Sequence, residues 1–205
     1  MRVALVGQAG VGKSTLAYTF SKFLERRGLT VAVANLDSTA KRLPYKPQLD
    51  ARKDKEAGKK VPHLHAQFVL LDTPYDLESA LYGSGQTELP KLCEVALIIA
   101  DAHHVQEWEA LDFFDRACVL ASEALGAPVL GVLNKSDLAK GAKPRKAQAL
   151  EAHDRAHSRS GALRVSAVTR DGFEGLLARL DIRAARGIAK GVTGEGVRDE
   201  SDRFP

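Results

Sequence analysis

Gly7-Gln8-Ala9-Gly10-Val11-Gly12-Lys13-Ser14 decides how the rest of this chain is read. The stretch fits G-x-x-x-x-G-K-[ST], a loop whose backbone N–H groups turn inward around phosphate oxygens. Arg2-Val3-Ala4-Leu5-Val6 before it is a short run of strand formers, and Thr15-Leu16-Ala17-Tyr18 after it opens a helix. In that setting the glycines let the backbone approach an anion, and the helix N-terminus adds a favourable dipole. Gly10, Val11, Gly12, Lys13, Ser14 and Thr15 are the candidate phosphate-binding residues. Lys13 would reach the β- and γ-phosphates of a nucleotide and serve catalysis, and the Ser14 hydroxyl would ligate Mg²⁺.

Outward from this loop, apolar runs alternate with helix-period segments. The runs predict strands over 2–6, 30–36, 67–72, 95–100, 128–133 and 162–165. Phe68-Val69-Leu70-Leu71 and Val95-Ala96-Leu97-Ile98-Ile99 are continuously apolar, as strands buried on both faces must be. Helices are expected over 13–27, 106–125, 144–160 and 172–180; Gly28 stops the first, and Leu16, Phe20, Phe23 and Leu24 share its apolar face. In the second helix Trp108, Leu111, Phe114 and Cys118 recur at helical spacing, which fits packing. The alternation, broken by one long loop, predicts an α/β fold. It is a three-layer, doubly wound, mostly parallel sheet with its ligand at the carboxyl ends of the strands. One domain is expected over 1–182, with a basic, proline-containing insert at 41–66 and a glycine-rich charged tail at 183–205.

Composition narrows the function classes. The net charge of +4 is concentrated: residues 41–60 hold eight Lys and Arg against three acids, so the remainder is close to neutral. A global nucleic-acid-binding surface is therefore not indicated; the segment is either a solvated basic loop or a local, nucleotide-gated surface for an acidic partner, anionic lipid or nucleic acid. No apolar run reaches membrane-spanning length, and with a strand pattern at the start no signal peptide is expected. Cys93 and Cys118 lack metal-ligand spacing and fit buried thiols of a reducing cytoplasm. His153 and His157 would share a helical face, but no third ligand lies near them in sequence.

Asn134-Lys135-Ser136-Asp137 follows the apolar run Val129-Leu130-Gly131-Val132-Leu133. An N-K-x-D segment at a strand end resembles the guanine-recognition motif of GTP-binding P-loop proteins. The Asp carboxylate accepts from both the ring N–H and the exocyclic amine of guanine. Adenine presents a ring acceptor instead, so discrimination of roughly 10⁴-fold is expected from an otherwise unpaired carboxylate. The Lys135 stem would lie on the base, and Asn134 would tie the motif to the phosphate loop. Ser166-Ala167-Val168 resembles the S-A-x segment of the same proteins, where a backbone N–H meets the guanine carbonyl. Leu71-Asp72-Thr73-Pro74 places a carboxylate at a strand end, as an Mg²⁺–phosphate site needs. GTPases commonly read D-T-P-G there; this chain has Tyr75, and only Asp76 and Gln86 stand near the place of a water-orienting glutamine.

Asn35-Leu36-Asp37-Ser38 comes almost directly after the first helix, and so short a return implies a strand parallel to its neighbour. The arrangement resembles the SIMIBI class of P-loop GTPases, and the segment is similar to the N-L-D-P of GPN-loop proteins. Ser38 replaces the proline, and the G-P-N tripeptide itself is absent. The resemblance implies Mg²⁺ held by Ser14, Asp37 and Asp72, with Asp37 also positioning the attacking water. A GTP/GDP switch is expected, with slow intrinsic hydrolysis because no arginine finger or orienting glutamine is identifiable; a partner or a nucleotide-dependent homodimer would accelerate it, and residues 41–60 are the candidate surface for a protein effector. Two alternatives stand beside it: a guanine-nucleotide-binding regulator with little hydrolysis, and a MinD- or ParA-like ATPase.

Overall fold

A computed structural model describes residues 1–74, 89–105, 108–139 and 162–181. Tyr75, Asp76, Gln86, the helix expected over 144–160 with its His153 and His157, and the tail at 183–205 lie outside them. In chain order the elements are β1 (Arg2–Val6), α1 (Lys13–Glu25), β2 (Val31–Asn35), β3 (Leu49–Asp50), α2 (Ala57–Lys60), β4 (Phe68–Asp72) and α3 (Leu89–Leu92). There follow β5 (Val95–Asp101), α4 (Trp108–Leu125), β6 (Val129–Asn134), α5 (Ser136–Ala139) and β7 (Leu163–Arg164). A last helix, α6, covers 173–181. Among the described residues the strands form one seven-stranded sheet in the order β3-β2-β4-β1-β5-β6-β7, and every pairing is parallel.

The continuous apolar runs are strands buried on both faces, and alternate residues enter two separate cores. Val3, Leu5, Val33, Leu70, Leu97 and Val132 face α1 and α6, where Leu16, Phe20, Leu24, Phe173, Leu176 and Leu180 meet them. Ala4, Val6, Ala34, Leu71, Ile98 and Leu133 face the other way, toward Phe114, Cys118 and Ala121 of α4. This is the expected three-layer arrangement. Phe173 stands edge-on to Phe20 and Phe23 at 5.2 and 5.4 Å, which locks α6 onto α1.

Two details differ from the sequence expectation. β2 is parallel, as its short return requires, but β4 lies between it and β1. The basic insert is also less loose than its composition implies. Leu49 and Asp50 pair with Ala34 and Asn35 to add an edge strand. The Gln48 side-chain oxygen accepts the Val33 N–H at 2.7 Å, and the Asn35 amide donates to Asp50 Oδ1 at 2.9 Å. Ala57 and Val61, both fully buried, anchor the rest of the insert. Side-chain hydrogen bonds and these two apolar anchors replace the missing apolar run.

Candidate nucleotide site

Parallel strands put their carboxyl ends, and the loops that follow, along one edge of the sheet. The loop after β1 turns into α1 through Gly12, whose φ of 94° is left-handed. Gly7 is needed for a different reason: a Cβ there would collide with the Ile99 carbonyl on β5. Lys13 Nζ donates back to the carbonyls of Gly7 at 2.5 Å and Gln8 at 3.2 Å, bracing the loop from within.

Gly10, Gly12, Lys13, Ser14 and Thr15 line a cleft of about 470 Å³ together with Asp37, Thr39, Asp72 and Pro74. The three predicted metal-site residues, Ser14, Asp37 and Asp72, therefore share one cavity. Asp72 is buried at the end of β4, and the Ser14 hydroxyl lines the same cleft near its carboxylate. Burial pushes the Asp72 carboxyl above its ordinary value; the charge of Asp37 acts the same way, against the Ser14 hydroxyl, the Tyr45 hydrogen bond and the charge of Lys13. A hydroxyl and two mutually repelling carboxylates form a hard oxygen set, the chemistry that suits Mg²⁺. Thr73, next to Asp72, donates its hydroxyl to the Leu5 carbonyl at 2.6 Å and fixes the end of β4 against β1. Asp37 Oδ1 accepts the N–H and hydroxyl of Thr39 at 2.8 and 2.6 Å, so the loop after β2 is closed by its own side chains.

The N-K-x-D segment spans the end of β6 and the start of α5. Asn134 is buried, and its amide donates to the Val11 carbonyl at 2.9 Å while its oxygen accepts the Ala167 N–H at 3.0 Å. One side chain thus joins the phosphate loop to the S-A-x loop, as expected for the first link and unforeseen for the second. Lys135, with φ of 62°, stretches to Asp101 Oδ2 at 2.8 Å. Burial raises the Asp101 carboxyl, but the Lys135 hydrogen bond, the His103 N–H and the neighbouring positive charges outweigh it and hold the group below its ordinary value. Asp137 Oδ1 is buried and has no hydrogen-bond partner among the described residues. Ser166 is buried and organises its own turn: its Oγ accepts the Thr169 N–H at 3.0 Å and its carbonyl the Arg170 N–H at 2.8 Å. Val168 is exposed at the rim.

Two residues of the site went unread in sequence. Asp101 was signalled only by an acid ending an apolar strand. Tyr45 was signalled by an aromatic between two prolines in an otherwise polar insert. Its hydroxyl donates to Asp72 Oδ2 at 2.7 Å, and burial, then the Asp72 charge, hold the phenol far above its ordinary value.

Residues 5–59 match a family described as a conserved hypothetical ATP binding protein. Over 170 residues the chain is 29% identical to a GPN-loop GTPase of Pyrococcus abyssi, covering 67% of this chain and 68% of that one. The crystal structure of that GTPase in its apo form superposes with a TM-score of 0.70 at 24% identity, covering 90% of this chain and 97% of the other. A plasmid partition protein from Borrelia burgdorferi shares the fold more distantly, with a TM-score of 0.53 at 14% identity over 90% of this chain and 98% of its own. Among the described residues no helix is long and apolar enough to cross a membrane. The strand order, the loop around Lys13 and these likenesses together make the chain a P-loop NTPase in fold, one that resembles a GPN-loop GTPase.

Proposed function

We propose that the protein binds GTP with Mg²⁺, hydrolyses it to GDP and phosphate, and acts as a molecular switch. The observation that carries the reading is Asp137 Oδ1, a buried acceptor without a partner among the described residues, one turn from an asparagine tied to the phosphate loop. A buried polar atom left unpaired costs about 1–3 kcal/mol, and the two adjacent donors of guanine would satisfy it. Lys135, extended toward Asp101, lends its stem to the base face, and the 166–168 loop closes the far side.

In the phosphate cleft the loop amides and Lys13 hold the β- and γ-phosphates. Lys13 exchanges the Gly7 and Gln8 carbonyls for phosphate oxygens as the nucleotide enters. Ser14, Asp37 and Asp72 would hold Mg²⁺, whose charge would offset that of the phosphates. Asp37 positions the attacking water. Among the described residues lining the cleft there is no arginine. Turnover is therefore slow alone and rises when a partner or a second copy adds a cation. Asp50, Asp54 and Glu56 are each engaged by a basic residue of segment 41–60, so the other five basic residues supply its outward charge as an effector surface. Two buried free thiols suit a cytoplasmic setting.

Competition binding tests the base assignment. GDP should outcompete ADP by roughly 10⁴-fold, and Asp137→Ala should erase that preference. Displacement of bound GDP by ADP at equal concentration sinks the guanine reading and favours the ATP-binding description of the matched family. A second reading, a binding regulator with little hydrolysis, is favoured by the engagement of Asp37 Oδ1 with Thr39. Single-turnover hydrolysis unchanged by Asp37→Ala would support it.

A further inference from the structure

We propose that Tyr45 is a positioning residue for the Mg²⁺ site and a contact, besides Asp37, through which that site holds the segment between β2 and β3; this rests on the Mg²⁺–nucleotide reading above. The geometry is specific. The Tyr45 hydroxyl donates to Asp72 Oδ2 at 2.7 Å, within the short range of hydrogen bonds to an ionised acceptor. The Ser14 hydroxyl lies near the same carboxylate and lowers its pKa. Asp72 is therefore held by a donor from the insert and faces a hydroxyl of the phosphate loop. A buried carboxylate so held presents its remaining lone pairs in a fixed direction.

The tyrosine is itself fixed. Its ring packs against the core that contains Val33, Leu70 and Phe20. The chain on either side is attached to the sheet by other means: Asn35 ties Asp37 and Asp50 together, and Gln48 pairs with Val33 through side chain and backbone. Among the described residues, Tyr45 supplies the side-chain hydrogen bond that joins this segment to Asp72. Its neighbours Lys41, Arg42 and Lys46 are exposed. A change in how Asp72 is occupied therefore has a direct route to those basic side chains through the Tyr45 phenol, beside the one that Asp37 offers at the start of the segment.

Tyr45→Phe removes the hydroxyl and keeps the ring. Loss of a partner that orients a metal-site carboxylate lowers metal affinity by roughly 10–100-fold. The full chain is loaded with GDP, and GDP release is followed by fluorescence across a Mg²⁺ titration. The half-saturating Mg²⁺ concentration should rise by roughly tenfold or more in Tyr45→Phe. In an Asp72→Asn background the same change should add less than about twofold, because the two residues act through one contact. Limited trypsin digestion gives the second readout. Cleavage after Lys41 and Arg42 should slow on Mg²⁺ addition in the wild type and lose most of that dependence in Tyr45→Phe. A purely structural role would shift cleavage equally with and without Mg²⁺. A half-saturation within twofold of wild type, or an undiminished effect in the Asp72→Asn background, overturns the proposal. Wild-type cleavage indifferent to Mg²⁺ overturns it even if the variant does not fold. If ADP is retained in place of GDP, the guanine reading fails, and the same titration with ADP still decides the role of Tyr45.

Discussion

Gly12→Ala should cost far more than a methyl group implies, and the excess should pass through Asn134. Two terms add. The left-handed backbone at Gly12, φ 94°, costs an L-residue about 1–2 kcal/mol. The new Cβ would also stand 2.5 Å from Asn134 Nδ2, about 1 Å inside a normal contact distance. Moving the amide away breaks its bonds to the Val11 carbonyl and the Ala167 N–H, and each buried group left unpaired costs about 1–3 kcal/mol. The expected loss is about 3–5 kcal/mol in urea unfolding, with faster GDP release because Gly12 lines the phosphate cleft. Asn134→Ala removes the same two bonds and should cost about 2–4 kcal/mol. In the double variant the clash has no target, so only the backbone term is added to the Asn134→Ala cost. The double variant should therefore be more stable than the sum of the singles predicts by about 2 kcal/mol. Additivity to within about 0.5 kcal/mol would refute the coupling, and with it the claim that one amide joins the phosphate and base loops.

Further outcomes follow from other contacts. Phe173→Ala empties a fully buried site against Phe20 and Phe23 and should lower the unfolding free energy by about 3–5 kcal/mol; a loss below about 1.5 kcal/mol in urea would mean α6 is not locked by that ring. Asp50 is held below the ordinary carboxylate range, first by the Arg52 hydrogen bonds and then, against burial, by Asn35. A depressed native pKa contributes stability that is complete above the unfolded value of about 4 and fades as pH falls through the native one. Asp50→Asn should accordingly cost about 1–3 kcal/mol at pH 7, and the gap to wild type should close progressively below about pH 4. A gap constant between pH 7 and pH 3 would show that the carboxylate charge is not what binds the insert to β2.

Much of this fold was legible because a parallel sheet buried on both faces needs uninterrupted apolar runs. Val95–Asp101 and Phe68–Asp72 could be nothing else at that length. The phosphate loop and Asn134–Asp137 were legible because their chemistry is carried by adjacent residues. What stayed hidden depends on distant partners. Leu49 and Asp50 form a strand only because β2 presents a free edge and Asn35 reaches across. Tyr45 finds Asp72 across 27 residues of chain, and Lys135 finds Asp101 across 34. Neither spacing has a period or motif that a linear reading could register. The position of β4 between β1 and β2 was hidden for a related reason: a short return constrains direction but not adjacency.

The unpaired oxygen of Asp137 also bears on how the stability of this protein is to be measured. Polar groups at the opposite edge of the sheet are satisfied internally, as where Thr30 and Gln67 exchange hydrogen bonds and Glu94 accepts the Arg2 N–H. At the site edge one buried acceptor waits for a donor that the described chain does not supply. A melting temperature taken on the empty protein is then a floor. A ligand at a hundred times its dissociation constant adds about 2.7 kcal/mol to the folded state, so resistance to heat reports occupancy before it reports sequence. Two preparations differing only in retained nucleotide would look like two different proteins.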